Sequence, residues 1–235
     1  LFKIKETFGI GPNFLNWIKI IYSNATTKIK VNGFFTKPIP LKRGVRQGDP
    51  LSFFEYLFIN EILALQLRKN QNIVGFQIGG EKIVSMHYAD DTTITILQNR
   101  CFKEVYKELT NFELASGAKV NYKKTTALWT GSWKNRTDTP LPFQFTNKNV
   151  KTLGVYFGTD DPAKSTFAEI IPKIKRSLNY CKQALLSRLA KARIIEIFLA
   201  SKLWYALTFY TMPQKLLKEL QNSFFEFVDY PLKVK

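Results

Sequence analysis

The segment Ile83-Val84-Ser85-Met86-His87-Tyr88-Ala89-Asp90-Asp91-Thr92-Thr93-Ile94-Thr95-Ile96-Leu97 decides how the rest of the chain is read. Two β-prone apolar runs flank Tyr-Ala-Asp-Asp, the pattern of a hairpin with its polar residues at the tip. Successive side chains on a strand point to opposite faces, so Asp90 and Asp91 share a site only where a turn breaks the alternation. Adjacent carboxylates repel each other unless something positive binds there. The candidates are a hard divalent cation and a phosphate-bearing ligand. Mg2+ takes oxygen ligands and uses one or two carboxylates together with substrate phosphates. A two-metal site, with ions about 3.5–4 Å apart, needs at least one more acid from another strand. A second pair, Asp160-Asp161-Pro162, lacks the flanking strands and reads as a linker turn. His87, the only histidine, is turned away from Tyr88 by the alternation and is given no catalytic role.

Upstream lies Arg43-Gly44-Val45-Arg46-Gln47-Gly48-Asp49-Pro50-Leu51-Ser52. Gly44 and Gly48 permit close backbone approach by a ligand. Arg46 offers a guanidinium fork for phosphate, and Gln47 an amide for a base or sugar edge. Asp49-Pro50 is an N-cap followed by a first-turn proline, and the helix N-terminus it starts favours an anion. The predicted helix runs from Leu51 to Arg68 and is mostly apolar. Ahead of it, Phe14, Trp17, Ile18 and Ile21 recur at helical spacing. Asn32-Gly33 signals a hairpin, whose second strand Pro38 and Pro40 keep short. After it, strands are expected at 74–78 and 82–84 around Gly79-Gly80. A helix from Phe102 to Ser116, with Val105, Leu109 and Phe112 on one face, stops at Gly117. Short strands follow at 125–129 and 152–157.

Beyond Ala163 the pattern turns helical. Pro172 reads as a helix start, with Ile170, Ile174, Leu178, Cys181 and Leu185 forming one stripe. Ile194, Ile197, Phe198 and Leu203 form a second, and residues 216–227 a third. Trp204 and Tyr205 continue an apolar pattern, which favours core packing over base stacking. The fold class is therefore α+β, with hairpins and packed helices giving way to an all-helical segment near residue 158.

The chain of 235 residues carries 35 Lys plus Arg against 18 Asp plus Glu, a net charge of +17 that points to a polyanionic partner. Apolar residues make up 45% and aromatics 14%, a globular composition. No run approaches the roughly 20 apolar residues of a spanning helix, so no membrane partner is expected. Cys101 and Cys181 make no metal motif and read as free thiols. Between Thr7 and Gly48 there is no acid, and residues 162–193 hold eight basic residues and one acid, Glu169. Lys173, Lys175, Arg176, Lys182, Arg188, Lys191 and Arg193 are the candidates for a face that holds phosphate backbone.

Together, the 43–52 and 88–91 stretches resemble the B and C motifs of a reverse transcriptase palm, in the wording of the non-LTR (LINE-type) retrotransposon enzymes. Ser116-Gly117-Ala118-Lys119-Val120-Asn121-Tyr122-Lys123-Lys124-Thr125 resembles the D motif. Leu153-Gly154-Val155-Tyr156-Phe157-Gly158 resembles the E motif, or primer grip, and the helical segment resembles the thumb. A group II intron-type or telomerase-like enzyme matches Arg46-Gln47-Gly48-Asp49-Pro50-Leu51-Ser52 less well.

The resemblance implies a partial polymerase palm over 1–158, an antiparallel sheet with packed helices, and an all-helical thumb or connection over 159–235. It implies an RNA-directed DNA polymerase working on an RNA template, a DNA primer and dNTP with Mg2+ or Mn2+. Asp90 is then the metal ligand, with Asp91 beside it as a further ligand or as its support, and Lys124 the lysine that helps protonate pyrophosphate. Tyr88 and Ala89 border the primer end. Arg46, Gln47 and Gly48 lie near the nascent pair, and Leu153 and Gly154 form the grip. The family's A motif, with another essential Asp, precedes a helix like 1–9, so the chain is expected to begin just after it and not to polymerise alone. The alternative is a non-catalytic nucleic-acid-binding remnant. The family has Pro after Ser52, whereas Phe53-Phe54-Glu55-Tyr56 stands here. A Glu in a buried helix carries a desolvation cost unless paired, which suggests a decayed or incomplete copy.

Overall fold

A computed structural model describes residues 2–41, 44, 48–184 and 186–230. The chain divides into two compact units, Leu1–Val120 and Asn121–Lys235, so the turn near residue 158 lies inside the second. Helices alternate with small sheets, and the six sheets found among the described residues are two-stranded. Among the described residues no helix is long and apolar enough to cross a membrane.

The first unit is organised by one long helix. It opens with α1 (Phe2–Thr7) and α2 (Pro12–Tyr22). Leu15 and Ile18 of α2 are buried, but Phe14, Trp17 and Ile21 are exposed; the apolar spacing overstates the width of the face that finds a partner. Four two-residue strands follow: β1 (Thr26–Thr27), β2 (Lys30–Val31), β3 (Phe34–Phe35) and β4 (Ile39–Pro40). β2 and β3 form the expected hairpin, with Asn32 and Gly33 at φ 48° and 89°, both left-handed as a tight two-residue turn requires. Helix α3 (Pro50–Lys69) starts as predicted, the Asp49 carboxylate accepting from the Leu51 N–H at 3.0 Å. It packs against α1, α4 (Arg100–Ser116) and a strand of the Tyr-Ala-Asp-Asp hairpin.

Glu55 of α3 is 1% exposed and pairs with Lys5 of α1, itself 0% exposed. The Lys5 ammonium also stands 5.6 Å from the Phe2 ring centroid and 6.0 Å from that of Phe58. The buried acid of the helix is therefore paired rather than stranded, its Oε1 taking the Lys5 ammonium while its Oε2 finds no hydrogen bond among the described residues. The pair joins α1 to the middle of the unit.

Strands β5 (Phe76–Ile78) and β6 (Glu81–Ile83) turn at Gly79-Gly80. β7 (Ser85–Tyr88) and β8 (Asp91–Ile94) form the central hairpin, shorter than the flanking apolar runs, in register from Ser85↔Ile94 to Tyr88↔Asp91. In α4 Val105 and Leu109 are buried as expected, joined by Cys101 and Phe102. Gly117 ends the helix at φ 73°.

The second unit begins with a parallel pair, β9 (Thr126–Leu128) and β10 (Gln144–Thr146). The single strand expected at 152–157 is instead a hairpin, β11 (Val150–Thr152) with β12 (Val155–Phe157). Leu153 and Gly154 turn it at φ 47° and 88°. Helix α5 (Pro162–Cys181) begins ten residues before Pro172, which lies inside it. The start signal is Asp161-Pro162: the Asp161 carboxylate accepts from the Lys164 N–H at 2.9 Å, so the second aspartate pair caps a helix rather than marking a linker. Ile174 and Leu178 are buried as predicted, and Leu185 lies outside the described residues.

α6 (Arg188–Ile194) leads into a π-helical turn at Ile195–Ala200, then α7 (Ser201–Leu207). The wider π turn shifts the helix phase, so Leu199 faces the core while Ile197 and Phe198 are exposed, contrary to the 3.6-residue reading. α8 (Gln214–Asp229) buries Leu220 and Phe227. Val155 of β12 shares one core with Phe167, Ile171, Leu203 and Phe227, which places the β11–β12 hairpin with the helices.

Two predictions follow from the first unit. Glu55→Leu strands the Lys5 ammonium and is expected to cost about 3–5 kcal/mol, whereas Lys5→Met with Glu55→Leu recovers most of the loss; urea unfolding read through α3 amide exchange measures both. His87 bonds Thr92 Oγ1 at 3.1 Å and Ser85 Oγ at 2.9 Å. Burial holds its pKa below the ordinary 6.5; the Glu61 charge opposes this and Arg68 reinforces it. The unfolded chain then binds the proton first as pH falls, so stability is full above about 6.5 and declines below it. Urea midpoints between pH 7.5 and 5 are expected to fall for the parent and to flatten for His87→Gln.

Candidate active site

The β7–β8 hairpin brings Tyr88, Ala89, Asp90 and Asp91 to one tip. Ala89 and Asp90 are the two turn residues, and Tyr88 and Asp91 are the last cross-strand pair. All four are exposed, Tyr88 at 69%. The alternation is broken where the sequence required it to be. Neither aspartate has an ion-pair partner among the described residues, on a chain with 35 basic side chains.

Ala89 sits at φ 50°, a left-handed conformation that costs a residue with a Cβ about 1 kcal/mol. Helix α3 supports this turn from below. Asn60, 6% exposed, donates its Nδ2–H to the Ala89 carbonyl at 3.2 Å. Tyr56, one turn earlier, has its phenol pKa raised above 10.0 by burial and then by the Asp90 charge, which places the two within electrostatic reach. Ser52, another turn earlier, is buried and bonds the Tyr22 hydroxyl at 3.2 Å. Sequence reasoning missed Tyr56 and Asn60. The available signal was the spacing of Ser52, Tyr56 and Asn60, three polar residues four apart along an apolar helix.

The donor set suits a hard cation in part. Two exposed, uncompensated carboxylates match what Mg2+ takes from a protein when substrate phosphates fill the remaining positions. Among the described residues no group of three or more His, Cys, Asp or Glu is placed to hold a metal. Two metals therefore need a further carboxylate beside this pair.

The other expected site residues fall in both units. Gly48, at φ 85°, precedes the α3 cap; Arg46 and Gln47 lie outside the described residues. Lys124 is exposed in the second unit, its N–H bonded to the Asn121 carbonyl at 3.0 Å. Leu153 and Gly154 form the β11–β12 turn. A Cβ built on Gly154 would stand 3.4 Å from the Tyr205 ring. Tyr205 and Trp204 are 49% and 61% exposed, so they are not core residues; Leu203 and Ala206 turn inward in their place.

The basic face proposed for phosphate is thinner than its sequence. Glu169 takes Lys151 and Lys173, both at 2.6 Å, and their hydrogen bonds pull its carboxyl down to about 2. Lys175 pairs with Glu219, Arg193 with Glu196 at 2.8 Å, and Arg188 with Asp229 at 3.8 Å. Lys182 stands 5.5 Å from the Tyr230 ring centroid. Lys191 is buried and caps α8, donating to the Tyr230 carbonyl at 2.5 Å. Of the seven candidates, Arg176 alone has no such partner among the described residues.

Residues 1–157 match the family model described as reverse transcriptase (RNA-dependent DNA polymerase). The chain is 29% identical over 229 residues to an uncharacterized 149 kDa protein of transposon TX1 from Xenopus laevis, covering 95% of this chain and 17% of that protein. It is 28% identical over 214 residues to a retrovirus-related Pol polyprotein from the type-1 retrotransposable element R2 of Popillia japonica, covering 86% of this chain and 29% of the relative. A corresponding R2 polyprotein from Nasonia vitripennis is 38% identical over 82 residues, 34% of this chain and 7% of that protein. The chain thus spans under a third of the length of these relatives. The match over two thirds of its residues, with these relatives alongside, places the chain in the reverse transcriptase family, of the non-LTR (LINE) type.

Proposed function

We propose that this chain supplies the metal-binding hairpin, the nucleotide loop and the primer grip of an RNA-directed DNA polymerase that extends a DNA primer on an RNA template. The single observation that carries this reading is the Ala89-Asp90 turn, which presents two exposed carboxylates with no ion-pair partner among the described residues, on a chain of +17. Residues 1–158 act as a partial palm and 159–235 as a helical thumb. Asp90 and Asp91 would hold Mg2+ or Mn2+, and such an ion would supply a lowered pKa for an attacking hydroxyl and charge stabilisation for a leaving pyrophosphate. Tyr88 and Ala89 border the primer end, and the Gly48 backbone, with Arg46 and Gln47, meets the incoming nucleotide. Leu153 and Gly154 hold the primer strand, and Lys124 donates a proton to pyrophosphate. Duplex backbone is held mainly through charge, by the lysines and arginines that remain free of carboxylates.

The two-metal reaction needs a third carboxylate beside Asp90 and Asp91, so the 235 residues alone are expected to bind template–primer without extending it.

A fluorescent RNA/DNA hybrid tests the reading. Its dissociation constant is expected to rise steeply with salt, with a slope of about 0.9 in log–log form for each phosphate neutralised. Mn2+ is expected to broaden the Asp90 and Asp91 amide signals in the parent and to lose that effect in Asp90→Asn. Failure to bind the hybrid at low salt, or Mn2+ broadening that survives Asp90→Asn, refutes the reading. Incorporation of dNTP by the isolated chain refutes the need for a third carboxylate.

A further inference from the structure

We propose that Asn60 is a positioning residue for the carboxylate turn, holding Ala89 in its left-handed conformation so that Asp90 and Asp91 present to one ligand. The inference deepens the cation-site reading above and rests on it for its functional meaning.

The turn has a local problem. A two-residue hairpin loop commonly uses glycine, asparagine or aspartate where φ is positive, and here alanine occupies that position at φ 50°. Alanine has no side-chain polar group to stabilise the conformation itself. The hold must come from outside the loop, and the structure shows its source: Asn60 Nδ2 donates to the Ala89 carbonyl at 3.2 Å from the middle of a 20-residue helix. Asn60 is 6% exposed, so water does not readily take its place. A buried amide is costly unless it bonds, and this is the bond that the structure gives Asn60.

The geometry also explains why the hold acts on direction. Ala89 immediately precedes Asp90, and the orientation of its carbonyl fixes the peptide plane joining the two residues. Without the Asn60 amide, that plane is free to rotate and the Asp90 carboxylate moves with it. Asp91, paired with Tyr88 in the ladder, is fixed independently by the strands. Asn60 therefore governs how one carboxylate is set relative to the other. It touches neither the cation nor a substrate.

A double-mutant cycle with Asn60→Leu and Ala89→Gly tests this. Asn60→Leu is expected to speed amide exchange at Asp90 and to weaken Mn2+ broadening, each by about five-fold, the worth of one hydrogen bond. In the Ala89→Gly background most of that effect should vanish, because glycine adopts the conformation unaided. Asn60→Ser, which is smaller and polar, serves if the leucine disturbs α3. An equal effect of the Asn60 change in both backgrounds, or none in either, overturns the proposal. If Mn2+ broadening is indifferent to Asp90→Asn, the cation reading fails, while the exchange cycle still judges the Asn60 contact.

Discussion

An ammonium and a carboxylate buried together set the terms for the first unit. Lys5 and Glu55 are both withdrawn from water, and neither charge is tolerable there without the other. The pair fixes α1 against α3 at one rotational setting, since a turn of either helix about its axis separates the charges. With α3 so oriented, Asn60 faces the Ala89 carbonyl and Tyr56 comes within reach of Asp90. The exposed tip thus inherits its direction from a contact on another part of the same helix. Buried pairs of this kind contribute little net stability against an apolar equivalent, but removing one partner alone leaves an uncompensated buried charge and is strongly destabilising.

Local chemistry made the turns and caps readable. Asn32-Gly33, Asp49-Pro50 and Gly117 each carry a conformational requirement within two or three residues, and each appears where that requirement places it. The central hairpin and the exposure of its aspartates follow the same logic. What the sequence concealed is tertiary. Asp161-Pro162 carried the same helix-start grammar as Asp49-Pro50, but Pro172 drew the start downstream because a proline inside a helix is the rarer outcome. The π turn at Ile195–Ala200 changes the periodicity on which any helical stripe depends, so Phe198 and Leu199 exchange places relative to the regular count. The Lys5 partner of Glu55 is fifty residues away, beyond any spacing rule.

The site was readable in its carboxylates and opaque in its support. Asp90 and Asp91 stand out because acids between β-prone runs are rare. Asn60 does not, because the polar spacing it shares with Ser52 and Tyr56 gives no hint of which backbone carbonyl it meets. The charge analysis shows the same limit. Counting bases along residues 162–193 gives an almost acid-free strip, yet Glu219, Glu196 and Asp229 return to it from elsewhere and Lys191 is spent inside the unit. The electrostatic surface of a helix belongs to its neighbours as much as to its own sequence.

Among the described residues every sheet has two strands, and in a two-stranded ladder each strand pairs along one side only. Half the peptide groups of β7 and β8 therefore point outward with no ladder partner. Such edges are templates for strand addition. A visiting strand would extend the sheet without disturbing the Ala89-Asp90 turn, and its side chains would arrive in a register dictated by the existing ladder. The scaffold is thus arranged to accept a further row of residues beside its acidic tip, at spacings the backbone has already set.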